Sequence, residues 1–330
     1  MRGYAEYVNL VTGNALALGG KTVISDPLPM GEGWYRMHLR INIIVVIGTG
    51  AGAVTEGELL FIKNVLLKTD RGEIICNLPG RALYKIAGIK AGIAAMRKDA
   101  IAASSATYTV NLPIYFADHY RLLDRPEDTI LDTSRYSSVT LEVTLGTVAD
   151  LYSAPGTASA TATLDVEVVR TKGILPGDKP GVGGRPIAHT AYDFRNPVDA
   201  ASVTQIFLER AQDLSLKYLY VFSGTSGTAG VPCSGANSDA VQNIVQLKDQ
   251  SGFISKDRIH RMIQESNQVD FNLESIVTGL EVHNFVQEGS LQASLVTAGK
   301  SLLQYIWTNQ GGVAANSIVT AVQEGIRSLK

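Results

Sequence analysis

Apolar and polar residues alternate with period two along much of this chain. Val139, Leu141, Val143 and Leu145 alternate with Thr140, Glu142 and Thr144, and Leu164, Val166 and Val168 alternate with Asp165 and Glu167. Successive side chains of a strand point to opposite faces, so this pattern predicts strands with one face buried. WYRMHLRINIIVV, ELLFIKNVLLKT and ATYTVNLPIYF add the β-branched and aromatic content that strands favour. After residue 186 the texture continues in VTQIFLER, LKYLYVFSG, NIVQLKDQ, QVDFNLE, GLEVHNFV, LQASLVTAG and LLQYIWTN. Many short strands with few helices between them predict an all-β chain with a few short helices rather than repeating βαβ units.

Two stretches carry helical spacing. Residues 81–98 place Leu83, Ile86, Ile89, Ile93 and Met96 three or four apart. Residues 255–268 open on Ser255 as an N-cap and predict Ile259, Met262 and Ile263 on one buried face. Residues 173–186, GILPGDKPGVGGRP, are too rich in Gly and Pro for a helix or central strand and read as a linker. The expected organisation is an N-terminal arm over 1–33, a first domain over 34–172, the linker, and a second domain over 187–330. The arm is expected to be weakly structured, because TGNALALGG and DPLPMGEG punctuate it. The C-terminal SIVTAVQEGIRSLK suits either a strand or a short helix: SIVTAV alternates, while Ile318, Val322 and Ile326 keep helical spacing. Strand boundaries after residue 270 stay open.

The two halves resemble one another. LRINIIVVIG runs into a Gly-rich loop, a strand, LLKTDRGEII and a helix; LKYLYVFSG runs into a Gly-rich loop, a strand, QLKDQSGFI and a helix. Leu67, Lys68, Gly72 and Ile74 stand 180 residues before Leu247, Lys248, Gly252 and Ile254. Val110-Asn111-Leu112 is matched to Phe271-Asn272-Leu273 at a reduced offset. Ordered matches at a near-constant offset predict one β-rich unit used twice.

Composition narrows the class. The 29 Lys and Arg against 31 Asp and Glu, a net charge of −2, argue against a surface devoted to nucleic-acid phosphates. Charged residues make up only 18% while 45% are hydrophobic, which leaves surface for burial against neighbours and excludes a disordered chain. The 13 tyrosines outnumber 8 phenylalanines and 2 tryptophans together, which suits contact surfaces as well as strands. No signal-peptide core is read at the N-terminus, and the strongest apolar run, 41–47, broken by Asn42, is of strand length.

Candidate chemistry is sparse. Gly48-Thr49-Gly50-Ala51-Gly52-Ala53 follows an apolar strand, fits a dinucleotide fingerprint, and has Asp70 about twenty residues on. Against it, Gly57 and the contiguous run 59–62 spoil the helix that must follow, and Asp70 reads as part of a hairpin turn. The histidines 38, 119, 189, 260 and 283 lack metal-site spacing, so they read as surface or hydrogen-bonded core residues. Cys76 is expected buried and Cys233 exposed in a loop; two cysteines cannot form a disulfide framework or a four-thiolate zinc site. Arg121, Asp124, Arg125, Glu127 and Asp128 form a charged segment readable as a solvated loop or a subunit contact. Asp118, Asp124, Asp128 and Asp132 could bind a structural calcium, although no calcium-loop motif is present. No catalytic, cofactor-binding or metal-ligating residues are assigned, and no cofactor is required.

The stretch ICNLPGRALYKIAGIKAG, followed by NLPIYFADHYRLLDRPEDTILDTSRYSSVTLEVTLG, resembles the N-terminal jelly roll of double-jelly-roll major capsid proteins. These coat icosahedral, membrane-containing bacteriophages of the corticovirus type, with tectiviruses more distant. The matching features are the helix start from Gly80 to Leu83, the strand end from Pro113 to Asp118, and the turn Leu131-Asp132-Thr133-Ser134. The resemblance implies two tandem eight-stranded jelly-roll β-sandwiches and a non-enzymatic, virion-located coat protein made in the host cytoplasm. It implies homotrimers acting as pseudo-hexameric capsomers. Their partners would be neighbouring capsomers, penton and other minor capsid proteins and an internal viral membrane, with no direct nucleic-acid binding. The N-terminal arm and the 118–132 segment would carry intersubunit contacts. Two other classes share parts of this pattern: a two-domain carbohydrate-binding or adhesin protein, and a dinucleotide-binding oxidoreductase using Gly48 to Ala53.

Overall fold

The computed structural model describes residues 4–24, 28, 33–48, 50–93, 96–118, 129–172, 188–212, 214–286 and 294–328. The chain divides into two compact units. Met1–Gly88, Ala95–Ala117 and Glu127–His189 make the first; Ile89–Ala94, Asp118–Pro126 and Thr190–Lys330 make the second.

The first unit holds β1 (Tyr4–Leu16), β2 (Lys21–Ile24), β3 (Gly33–Val46), α1 (Gly57–Phe61), β4 (Ile62–Thr69) and β5 (Ile74–Leu78). It continues with α2 (Gly80–Ala91), whose last turn is grouped with the second unit, then β6 (Ala106–Tyr115) and β7 (Leu131–Asp132). β8 (Val139–Leu145), α3 (Val148–Leu151) and β9 (Ser159–Lys172) complete it. One sheet runs β1-β9-β3-β6, with β7 also on β3, and the other runs β2-β8-β4-β5.

The second unit holds β10 (Ala188–Asp199), β11 (Gln205–Phe207), β12 (Leu214–Thr225), β13 (Ala236–Asn237), β14 (Gln242–Asp249) and β15 (Gly252–Ile259). Then come α4 (His260–Asp270), β16 (Leu280–Asn284), β17 (Leu295–Val296), β18 (Leu303–Asn309) and β19 (Ile318–Ser328). Its sheets run β10-β19-β12-β16, with β13 and β17 also on β12, and β11-β18-β14-β15. Setting aside the two-residue strands β7, β13 and β17, each unit pairs its strands in the order 1-8-3-6 and 2-7-4-5. That order is a jelly roll, and the chain contains it twice.

The 180-residue offset survives in three dimensions. β4 and β14 are each eight residues long, begin 180 apart at Ile62 and Gln242, and bury the same positions. α2 and α4 begin 180 apart at Gly80 and His260. The match of residues 110–112 to 271–273 fails, however. The first lie inside β6, whereas Phe271, Asn272 and Leu273 form the turn that ends α4, and the strand matching β6 is β16.

Alternation builds both cores. β3 turns Met37, Leu39, Ile41, Ile43 and Val45 inward while Ile44 and Val46 face solvent. A one-residue slip would invert that set, so the β3 register against β6 and β9 is strongly specified. In the second unit Leu219 and Val221 of β12, Val245 and Leu247 of β14, Tyr305 and Trp307 of β18, and Val319 of β19 share one cluster.

The segment 1–33 is not a weakly structured arm over its described part. β1 pairs with β9 along most of its length, and β2 pairs with β8. β1 is an edge strand with register shifts between Asn9 and Val11 and between Val11 and Asn14. Gly13 sits at φ 65 and donates its N–H to Asp165 Oδ1 at 2.7 Å. These irregularities erase the period-two pattern that would have announced a strand.

Both helices differ from expectation. α2 stops at Ala91 instead of Lys98, because Gly92 takes a left-handed turn at φ 71 and donates to the Ile89 carbonyl. α4 starts at His260, since residues 252–259 belong to β15. Its buried positions are His260, Ile263, Gln264 and Asn267, leaving Ile259 and Met262 exposed. The inner face is held by polar contacts rather than by an apolar stripe. The C-terminal segment is a strand, β19, paired along β12.

Candidate functional site

The fingerprint-like loop is not a nucleotide site. A side chain at Gly48 would meet Thr157 Oγ1 at 2.5 Å and the Ala158 nitrogen at 2.9 Å, so that glycine permits a close backbone approach. The helix that follows, α1, is five residues long, carries Glu58 in its first turn, and is preceded by Glu56 in the left-handed region. Acidic residues there repel a phosphate instead of receiving one. Asp70 lies in the turn between β4 and β5, where Ser137 Oγ donates to it at 2.5 Å. Ribose recognition has no place in this arrangement.

Of the four aspartates, the two that are described are each engaged by other partners. Asp118 is surrounded by two lysines, and Asp132 is engaged by Ser134 and Arg135 around the short turn at 133–135. Asp124 and Asp128, like the rest of the charged segment Arg121, Arg125 and Glu127, lie outside the described residues. Among the described residues no group of His, Cys, Asp and Glu is placed to hold a metal ion.

Cys76 is buried in β5 as expected, but Cys233 is buried as well. Its loop folds onto β19, where the Cys233 N–H donates to Thr320 Oγ1 at 3.0 Å. The histidines are less scattered in space than in sequence. His260 Nδ1 lies 2.6 Å from Glu281 Oε2, and His283 Nε2 lies 2.9 Å from Glu281 Oε1. The Tyr305 hydroxyl donates to the same carboxylate at 2.5 Å. Burial pulls the His260 pKa down, but Asp239 and Glu281 outweigh it and lift the pKa to about 9. Burial likewise pushes Glu281 up, and His260 and His283 overcome it, bringing the carboxyl to about 2. The alternation Glu281-Val282-His283 places two of these groups on one face of β16; nothing in the sequence joined them to His260. His38 is half-buried, with its pKa lowered to about 4 by burial and by Arg36. His119 and the side chain of His189 lie outside the described residues.

A second buried cluster stands in the second unit. Lys217 of β12, Glu324 of β19, Asp118 and Lys90 are all withdrawn from solvent and mutually paired. Burial raises the Asp118 pKa, and Lys217 and Lys90 overcome it, holding the carboxyl below its usual range. Burial lowers that of Lys217, and Asp118 and Glu324 overcome it, holding the ammonium above its usual range. Asp118, a candidate metal ligand from its sequence, is here an ion-pair partner, and nothing in the linear chain joins it to the other three.

Outward-facing apolar groups gather on β15 and α4. Phe253, Ile254 and Ile259 are exposed, and on the helix Met262 is 59% and Val269 80% exposed. β15 is the last strand of its four-stranded sheet. Unpaired edges and exposed apolar patches are the features by which sheet proteins associate.

No protein-family model matches this chain, and no curated protein matches it either. Solved structures do. The chain is similar to one in the atomic structure of Sulfolobus turreted icosahedral virus, at 13% identity and a TM-score of 0.71, covering 99% of this chain and 91% of that one. It is similar to the major capsid protein P2 of bacteriophage PM2, at 12% identity and a TM-score of 0.63, covering 99% and 98%. It is also similar to the PBCV-1 virus capsid, at 10% identity and a TM-score of 0.59, covering 99% and 95%. At such identities the shared property is the fold, the tandem jelly roll of viral double-jelly-roll capsid proteins, and this chain has it from end to end.

Proposed function

We propose that this chain is a major capsid protein that trimerises into pseudo-hexameric capsomers and closes into an icosahedral virion shell around an internal membrane. The observation that carries the reading is the use of one jelly roll twice in one chain, at a length nearly equal to that of the similar capsid chains. Two like lobes per chain let a threefold object present six lobes, and so fill sixfold surroundings. The low charged content and the exposed apolar groups of β15 and α4 support lateral burial. Shells need many modest interfaces rather than one very strong one. A near-neutral chain gives no support to genome binding, so its partners are further copies of itself, penton and other minor capsid proteins, and lipid. The role is structural, in the virion, after synthesis in the host cytoplasm. The lobes we propose are 34–172 and 187–330, with β1 and β2 added to the first and residues 89–94 and 118–126 grouped with the second.

Multi-angle light scattering of the purified chain tests this. A stable trimer that grows into sheets or shells is expected, with hexagonal tiles in electron micrographs. A monomer that stays monomeric at high concentration overturns it.

A further inference from the structure

Four ionisable side chains of the second unit meet where water does not reach. Lys217, Glu324, Asp118 and Lys90 are each no more than 1% exposed. Lys217 Nζ lies 2.8 Å from Glu324 Oε1 and pairs with Asp118 Oδ2. Lys90 Nζ lies 2.6 Å from Glu324 Oε1 and donates to Asp118 Oδ1. The Tyr220 hydroxyl donates to Glu324 Oε2 at 2.7 Å. The Tyr192 ring lies 5.1 Å from Lys90 Nζ, and the Tyr218 ring lies 5.6 Å from both ammonium groups. The charges cancel, yet four dry ions are a costly way to hold strands together compared with apolar packing.

The two lysines take opposite oxygens of Asp118: Lys90 hydrogen-bonds Oδ1 and Lys217 Nζ pairs with Oδ2. Glu324 Oε1 stands 2.8 Å from Lys217 Nζ, so an amine held dry against a carboxyl group has a proton acceptor beside it. We propose that Lys217 and Asp118 condense into an intramolecular isopeptide bond, with Glu324 as proton relay and Lys90 as the cation that stabilises the oxyanion.

The step balances within the cluster. Lys217 passes one proton to Glu324, and the neutral amine attacks Cγ of Asp118, forming the Nζ–Cγ bond. Negative charge gathers on Oδ1, where Lys90 already donates. The Cγ–Oδ2 bond then breaks. The leaving oxygen takes the proton held by Glu324 and a second proton from Nζ, and departs as water. An ammonium and a carboxylate become an amide and water, with no oxidant or co-reactant, and Glu324 returns to its carboxylate form. Fixed neighbours supply the large effective concentration that such a condensation needs. The product keeps Lys90 paired with Glu324 and removes two buried charges. Ion pairs elsewhere are poorer candidates: Lys63 and Asp150 are 39% and 26% exposed, so water solvates both groups.

The bond closes the stretch from residue 118 to residue 217 into a covalent loop, a staple independent of shell assembly. Intact-mass spectrometry of the full chain tests it. The expected mass is about 18 Da below that of the sequence, the loss of one water, and digestion should give a branched peptide joining Asp118 to Lys217. A Glu324→Gln variant that folds, judged by circular dichroism, should keep the full mass. An unreduced wild-type mass with separate peptides overturns the proposal. A branch through Lys90 overturns the choice of nucleophile, and wild-type linkage in Glu324→Gln overturns the relay.

Discussion

The two sandwiches place a bulge at the same point of their third strand and use it in opposite ways. In β3 the register breaks between Trp34 and Arg36, and in β12 between Leu216 and Tyr218. The bulged residue does the same backbone work in both. The Tyr35 carbonyl accepts the amides of Phe116 and Ala117, each at 2.9 Å, and the Lys217 carbonyl accepts that of Phe285 at 3.0 Å. The side chains diverge. Tyr35 is half-buried beside an apolar neighbourhood in which the Trp34 and Phe116 rings lie 6.2 Å apart. Lys217 is fully buried among carboxylates. A bulge re-aims one side chain out of the alternating pattern, and what it aims is a separate choice made by the residue placed there. The matched helices α2 and α4 diverge in the same manner: residues 80–90 of α2 are all buried, while α4 exposes Arg261, Met262 and Glu265.

Substitutions at matched positions test how deep this likeness runs. The largest effect is expected from charging the inner helix. Ala82→Glu buries an unpaired carboxylate and should cost about 3–5 kcal/mol or prevent folding, read as a fall in denaturant midpoint. Lys217→Met leaves Asp118 and Glu324 facing a single cation, and should cost about 3–5 kcal/mol. Tyr35→Met at the matching bulge should cost about 1 kcal/mol, and equal losses at the two bulges would break the comparison. Leu67→Ala and Leu247→Ala, 180 residues apart and both buried, should each cost about 2–5 kcal/mol. Similar values would extend the repeat from topology to energetics.

A smaller, pH-dependent effect separates the halves, because the Glu281 cluster belongs to the second. His260 is raised to about 9 from 6.5, so its contribution is complete below pH 6.5 and lost as pH rises through 9. Glu281 is lowered to about 2 from 4.5, so its contribution is present above pH 4.5 and lost as pH falls through 2. Melting followed across pH should show maximal stability of the second unit between these limits, and His260→Gln should flatten the alkaline side. The smallest effect on folding is expected from Met262→Glu, the position matching Ala82. It should change stability by under about 0.5 kcal/mol while slowing assembly measured by light scattering.

Several readings of the linear chain needed no tertiary information. The alternation in residues 139–145 and 164–168 located β8 and β9, and the Gly-Asp turn chemistry located the β4–β5 hairpin. The 180-residue offset placed Leu247 and Lys248 in a strand, β14, as Leu67 and Lys68 stand in β4. What failed did so for local reasons. Asn9, Gly13 and Asn14 mask β1 because an edge strand with register shifts carries no clean alternation. The apolar spacing at 255–268 misplaced α4 because its buried face is made of His260, Gln264 and Asn267, residues that a hydrophobic pattern counts as outward. Gly92 closed α2 early although Ile93 and Met96 continued its spacing.

The sequence by itself determined the β class, the repetition and the near-neutral charge, because periodicity, offset and charge are properties of neighbours along a chain or of their sum. Only the tertiary structure decided which charged residues would share a dry interior. Lys90, Asp118, Lys217 and Glu324 come from four distant segments, and the groups around Glu281 come from α4, β16 and β18. Each alone reads as an ordinary surface residue. Their chemistry exists only after strand pairing and a bulge have removed water from around them and set them within bonding distance.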